Sequence, residues 1–296
     1  MKINLSDEVS GAVHFDKPIV ALESTVIAHG LPRPQNLETA RRMEEIIRRA
    51  GAIPATIAIF GGEAFIGLTE EQMETLAASE TTRKVSRRDL PIAAAKKLDC
   101  ATTVASTAFL AHKAGIRVFA TGGIGGVHRG HDGDISADLP ELAQTPLIVV
   151  CSGAKIVLDL TRTREWLETY GVTVLGWQTD EMPAFFSRES GLPVDEQVDA
   201  AKEVAAIADA RKDLGLSSAI LVTVPVPQQN EVSLDESERL LAESMRAATE
   251  HNIRGKEVTP FLLAEMAYRS DGRTLEANIA LLENNARVAA DIAQAF

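Results

Sequence analysis

Short runs dense in valine and isoleucine recur along this chain, and segments with helical spacing stand between them. The pattern opens with PIVALEST from Pro18, passes through NLETARRMEEIIRRAG from Asn36 and returns to IPATIAIF at Ile53. A run that is apolar throughout, rather than at every second residue, belongs to a strand covered on both faces. Such strands alternating with helices define an α/β fold with a largely parallel sheet. Further strands are predicted at IRVFATG from Ile116, PLIVVCSG from Pro146, VTVLGW from Val172 and AILVTVPVP from Ala219. Thr69 and Gln72 form a capping box before TEEQMETLAAS, and Asp89 with Pro91 opens an alanine-rich helix ending near Leu98. Helical spacing also marks Val198 to Leu214, Asp235 to His251 and Thr274 to Ala295. No repeat or linker divides residues 1–296, so a single domain is expected.

Aromatic residues make up only 4% of the chain, so the core must be filled by Ala, Val, Leu and Ile. That scarcity also argues against binding single-stranded nucleic acid, which needs exposed rings for base stacking. A formal charge of -12 repels nucleic acid and anionic membranes over most of the surface. A phosphorylated small molecule would then need a local cluster of basic residues. Cys100 and Cys151 make no disulfide framework, and MKINLSDEVS lacks a secretory apolar stretch, so the cytoplasm is the expected address. No apolar run approaches the roughly 20 residues that span a bilayer.

Open α/β sheets bind ligands beyond the carboxyl ends of their strands, and five polar clusters fall there. Glu23 ends the apolar part of PIVALEST. Burial favours the protonated form of such a carboxyl and suits it to donate a proton; alternatively it is a strand-end carboxylate held by backbone N–H groups or an arginine. The segment Arg83 to Pro91 concentrates positive charge, and Lys84 with Ser86 would share one face of a short strand, fit for a phosphate or simply a solvated turn. The glycines of Thr121 to Gly130 let the backbone approach a ligand, unless the loop is merely mobile. The third position of a dinucleotide fingerprint there is His128, and no Gly-Lys-Ser/Thr follows.

The fourth cluster, His131 to Leu139, offers Asp132, Asp134 and Asp138 as hard oxygen ligands for magnesium, manganese or calcium. Counted from Asp132, the sixth and twelfth positions are Ala137 and Ala143, which excludes an EF-hand. Asp138 serves equally as a helix N-cap. The fifth cluster is Cys151 to Asp159. Here Lys155 is expected in the first turn of a helix, where burial and the positive helix end favour the neutral amine needed for attack; otherwise it is a surface lysine. Cys151 reads as a small buried hydrophobe.

Taken together, ALEST with HGLP, KVSRRDLP, TTVAST, GGIGGVHRG, DISADL, SGAK, GWQTDEMPAF, VTPFLL and NIALLENNA resemble the pseudouridine-5'-phosphate glycosidase family, also called the indigoidine-synthase-A-like family, from about residue 17 onward. The resemblance implies an α/β/α layered domain with a mixed sheet, a manganese ion and a homotrimer. It implies reversible cleavage of pseudouridine 5'-phosphate to uracil and ribose 5-phosphate through a covalent lysine-ribose intermediate. By the same resemblance Glu23 is the proton donor, Lys155 the nucleophile and Asp134 the metal ligand. Lys84, Val104, Ser136, Ala137 and Asp138 would contact substrate, with His128 and Asn278 near the ribose phosphate. The competing expectations are a related C-glycoside synthase or glycosidase acting on another base, and a noncatalytic sugar-phosphate-binding protein.

Overall fold

The computed structural model describes residues 1–130, 133–253, 255 and 258–296, and in it the alternation becomes a sheet flanked by helices. In chain order the strands begin with β1 (Ile3–Leu5), β2 (Ile19–Leu22), β3 (Ile53–Phe60), β4 (Glu63–Ile66), β5 (Arg83–Val85) and β6 (Cys100–Thr102). They continue with β7 (Val118–Ala120), β8 (Val127–His128), β9 (Ile148–Cys151), β10 (Leu158–Asp159), β11 (Thr173–Trp177), β12 (Glu196–Val198) and β13 (Ile220–Thr223). The main sheet runs β1-β4-β3-β2-β7-β9-β13-β11-β12, and β6 joins β5 to β3. Its pairs are parallel except β3 with β4 and β3 with β6, so the sheet is mixed and largely parallel. The expected single α/β domain is therefore observed. A small antiparallel pair, β8 with β10, lies apart.

The central strands bury every residue, as their uninterrupted apolar sequences require. The helix Arg273–Ala293 lies along β2, β7 and β9 and packs on the helix Gln35–Arg49. The helix Val104–Lys113 packs against β2, β3 and β6. The capping box at Thr69 and Gln72 forms as read. Other boundaries shift: Val198 closes edge strand β12, and the following helix spans Ala201–Asp213. Asp89 does not cap the helix Leu90–Lys96; its carboxylate accepts the Ser86 N–H at 2.9 Å. Among the described residues no helix is long and apolar enough to cross a membrane.

One irregularity positions the site. Strand β2 stops at Leu22, paired to Thr56, while β3 runs on to Phe60. Beyond that point β3 pairs instead with β6, at Ala58 and Ile59. The sheet thus parts where β2 ends, and Glu23 stands at the opening.

Candidate active site

The carboxyl ends of adjacent parallel strands β2, β7 and β9 are followed by Glu23, Thr121 and Ser152. Glu23 is only 7% exposed. One of its oxygens accepts the Thr25 hydroxyl and the other accepts the Thr121 hydroxyl. Among the described residues its hydrogen-bond partners are these two hydroxyls, rather than the arginine or backbone N–H groups of a structural strand-end carboxylate. Hydroxyl partners can donate or accept, so they serve the group in either protonation state.

Two strand-end loops are laced together beside it. Ser152 N–H donates to Gly122 O at 2.8 Å, Ile124 N–H to Gly153 O at 3.0 Å and Lys155 N–H to Ile124 O at 3.1 Å. From the helix Arg273–Ala293, the fully buried Asn285 side chain donates to Thr121 O at 2.9 Å and to Ser152 Oγ at 3.2 Å. This one amide pins both loops. After Lys155 the chain forms β10, and the helix Leu160–Thr169 begins only at Leu160. Lys155 therefore does not sit in a first helical turn: Ile156 and Val157 form a turn closed by Leu158 N–H donating to Lys155 O at 3.0 Å, and β10 pairs with β8 only beyond it. Arg129 braces this stretch by donating to Leu158 O and Ile156 O while paired with Glu238.

Glu23 and Lys155 border a cavity with two lobes, which also share Thr25, Lys84 and Thr259. The larger lobe, about 310 Å³, has a lining that is as polar as it is apolar and carries most of the charged side chains. Ser86, Arg88, His128, Asp134, Ser136 and Ala137 line it. Val104 borders the same lobe at the start of the helix Val104–Lys113, a positive helix end. The smaller lobe, about 60 Å³, is mainly apolar, walled by Val26, Leu31, Phe185, Leu263 and Leu282. Asn278 and His29 add polar groups to it. The structure thus separates His128 from Asn278, which were expected together. The remaining predicted residues meet around one cavity.

Asp138 is 6% exposed and uses both oxygens internally, accepting Ala105 N–H at 3.0 Å and Gly125 N–H at 2.8 Å. It fastens the glycine loop to the helix Val104–Lys113 rather than capping the helix Asp138–Leu142 that it begins. Asp134 is exposed, and its carbonyl accepts the His128 N–H at 2.9 Å, which closes its loop onto β8. His131 and Asp132, read with it as one acidic loop, lie outside the described residues. Burial, and then the neighbouring Lys84 ammonium, push His29 below the ordinary histidine value, against an opposing hydrogen bond with the Thr82 backbone. Burial pushes the Cys151 thiol up to about 12, which fits a small core side chain and not a nucleophile.

Phe185 carries backbone strain at this cavity. Its φ is +62°, in the left-handed region that costs a non-glycine residue of order 1–3 kcal/mol. Its N–H donates to Ser152 O at 3.1 Å. Its ring occupies the space where Gly123 has no side chain: a Cβ there would lie 2.7 Å from the ring.

Asn285, Thr121, Arg129 and Phe185 lie within the clusters and motifs quoted above, but sequence assigns none of them a role of its own. For Asn285 a signal existed: it lies seven residues after Asn278, two turns along the helix, among the apolar residues Leu281, Leu282, Ala289 and Ile292 of the buried face. The others act through partners far away in the chain, and sequence spacing carries no trace of that.

A buried carboxyl and a lysine facing a divided cavity at the strand ends of an α/β sheet define an enzyme-type centre. The model of the family described as "Indigoidine synthase A like protein" matches residues 8–295, and the chain belongs to that family. It is 52% identical to the pseudouridine-5'-phosphate glycosidase of Caldanaerobacter subterraneus subsp. tengcongensis, covering 98% of this chain and 95% of that protein. It is also 52% identical to the protein of that name from Geobacillus kaustophilus, covering 98% and 97%. Among solved structures, an indigoidine synthase A-like protein from Thermotoga maritima superposes with a TM-score of 0.91 at 41% identity, covering 99% and 96% of the two chains. The prealnumycin C-glycosynthase AlnA, solved in complex with ribulose 5-phosphate, gives a TM-score of 0.91 at 39% identity, covering 100% and 97%.

Proposed function

We propose that this chain reversibly cleaves pseudouridine 5'-phosphate with water to uracil and ribose 5-phosphate. The observation that carries this reading is the meeting of a roomy lobe bearing charged side chains and a small apolar lobe at Glu23 and Lys155. The sugar phosphate suits the larger lobe, where Lys84, Arg88 and a helix N-terminus collect positive charge and Ser86 offers a hydroxyl in an acidic protein. The planar base suits the apolar lobe, with Asn278 to read its edge. Relatives with this specificity at about half identity over nearly the whole length support the assignment.

A C-glycoside has no nitrogen or oxygen leaving group, so direct departure of the base is disfavoured. In the proposed course Glu23 protonates the ribose ring oxygen as the Lys155 nitrogen bonds to C1', which opens the ring. Protonation of the uracil carbon bonded to C1' lets that bond break, and the lysine nitrogen holds the sugar as an iminium. Water hydrolyses the iminium, releasing ribose 5-phosphate and the free amine. Incubating the purified protein with pseudouridine 5'-phosphate and manganese should release uracil; intact substrate after prolonged incubation would exclude the proposal.

Among the described residues no three His, Cys, Asp or Glu side chains converge as a metal-binding group. Asp134, exposed at the larger lobe, fits an ion held mainly by water, as manganese or magnesium sites often are. When bound, such an ion supplies charge that polarises substrate oxygens. An ion so loosely held should exchange freely: chelation is expected to remove most activity and added manganese to restore it. Asp134→Ala should lose both the rate and its metal dependence, and full activity in exhaustively metal-free protein would count against an ion at this site.

Lys84 tests the division of the cavity. Lys84→Ala should lower kcat/KM for the phosphorylated nucleoside by about tenfold or more, and hardly change it for pseudouridine itself. Equal losses on both substrates would show that Lys84 does not read the phosphate. By the family resemblance, the working form is proposed to be a cytoplasmic homotrimer, which sedimentation analysis and cell fractionation can test. A second reading, synthesis of a C-glycoside on another ring, is favoured by the likeness to AlnA. Assays in the condensing direction with several bases separate the two.

A further inference from the structure

Phe185 is strained, buried and unable to retreat. Its backbone lies in the left-handed region at φ +62°, and the side chain is 1% exposed. Behind the ring, Gly123 leaves no spare room, since a Cβ there would already sit 2.7 and 2.8 Å from two ring carbons. Beside it, the Phe186 ring lies 4.7 Å away, tilted by 54°. The turn that carries Phe185 is clamped: Phe185 N–H donates to Ser152 O, and Ala184 N–H donates to Ser187 O at 3.0 Å. The preceding Pro183 carbonyl presses on Gly153, where a Cβ would approach it to 2.2 Å. Phe185 nevertheless borders the same apolar lobe as Glu23, Lys155 and Asn278.

A fully packed aromatic does not need a left-handed backbone to fill a core. Strain of this kind persists where the surroundings over-determine the residue, and it gathers at sites where position matters. Here the two glycine-bearing strand-end loops, one of which carries Lys155, give the ring its seat. Close-packed surroundings transmit strain rather than yield, so a wall built this way cannot shift to admit a larger ligand.

Resting on the glycosidase reading, we propose that Phe185 is a specificity-determining residue whose ring sets the size of the base accepted beside Lys155. The apolar lobe, at about 60 Å³, is then a slot for one small ring, and substituents that lengthen the ring meet Phe185. Discrimination is by clash, with no hydrogen bond from Phe185 to the base. A relative with a smaller residue at this point would take a bulkier ring on the same sugar phosphate.

The test compares pseudouridine 5'-phosphate with its N1-propyl and N3-propyl derivatives, measuring kcat/KM for the wild-type protein, Phe185→Leu and Phe185→Ala. The wild type should cleave at least one propyl compound about a hundredfold less efficiently than the parent. In both variants that ratio should fall to within about tenfold, whatever happens to the absolute rate. Because the readout is a ratio between substrates, loss of stable protein in the alanine variant leaves the leucine variant to decide. Wild-type cleavage of all three compounds at similar efficiency, or ratios unmoved in a folded variant, would overturn the size wall alone. A wild-type protein that leaves pseudouridine 5'-phosphate intact overturns the glycosidase reading, and this inference with it.

Discussion

Lys155→Ala and Lys155→Arg are expected to fold normally and to lose about a thousandfold or more in turnover, the scale on which removal of a covalent nucleophile acts. Arginine keeps the charge and much of the length, but its guanidinium stays protonated and is a poor nucleophile. It thus separates covalent chemistry from electrostatic attraction. The side chain is partly buried and the backbone N–H is tied to Ile124 O, so either replacement leaves the backbone of the loop supported. Wild-type protein mixed with ribose 5-phosphate should form an imine that borohydride reduces to a stable adduct. Peptide mass spectrometry should place that adduct on Lys155, and it should vanish in Lys155→Ala. Trapping on another lysine, or turnover by the alanine variant within tenfold of wild type, would require a mechanism without this nucleophile.

The second large effect belongs to Glu23→Gln. Glutamine is close to isosteric and can still bond with the Thr25 and Thr121 hydroxyls, so the cradle should survive. What it lacks is a transferable proton. Loss of a positioned general acid slows reactions by about 10²–10⁴-fold, and a fall of that size in kcat with little change in KM is expected. Circular dichroism and thermal melting should match the wild type. A Glu23→Gln variant working within tenfold of the native rate would remove Glu23 from the chemistry.

Much of the central sheet was legible because β2, β9 and β13 are apolar almost throughout, which only doubly covered strands require. The two-residue strands β8 and β10, and edge strands such as β1 and β12, left no such record: their pairing is decided by neighbours distant in sequence. The same division holds in the site. Glu23 could be found because an apolar run ends on it, whereas its partner Thr121 stands 98 residues away. Lys155 was found for a reason the structure only partly sustains, since the helix expected there begins at Leu160. Asp138 reads from sequence as a metal ligand or a cap and, by the family resemblance, as a substrate contact, while its two oxygens join the glycine loop to the helix Val104–Lys113. In each case the residue type was visible and the long-range partner was not.

The Asn285 pin has a consequence for how this protein comes into being. Thr121 and Ser152 are made early, and the strands they follow can pair as soon as β2, β7 and β9 have emerged. The amide that joins their loops arrives 164 residues after Thr121. During synthesis a largely assembled sheet therefore waits with buried-to-be carbonyls still facing water, because contacts so remote in sequence form late. The tie from Asn285 to Thr121 and Ser152 is therefore completed only when the helix Arg273–Ala293, the last of the chain's helices, has docked.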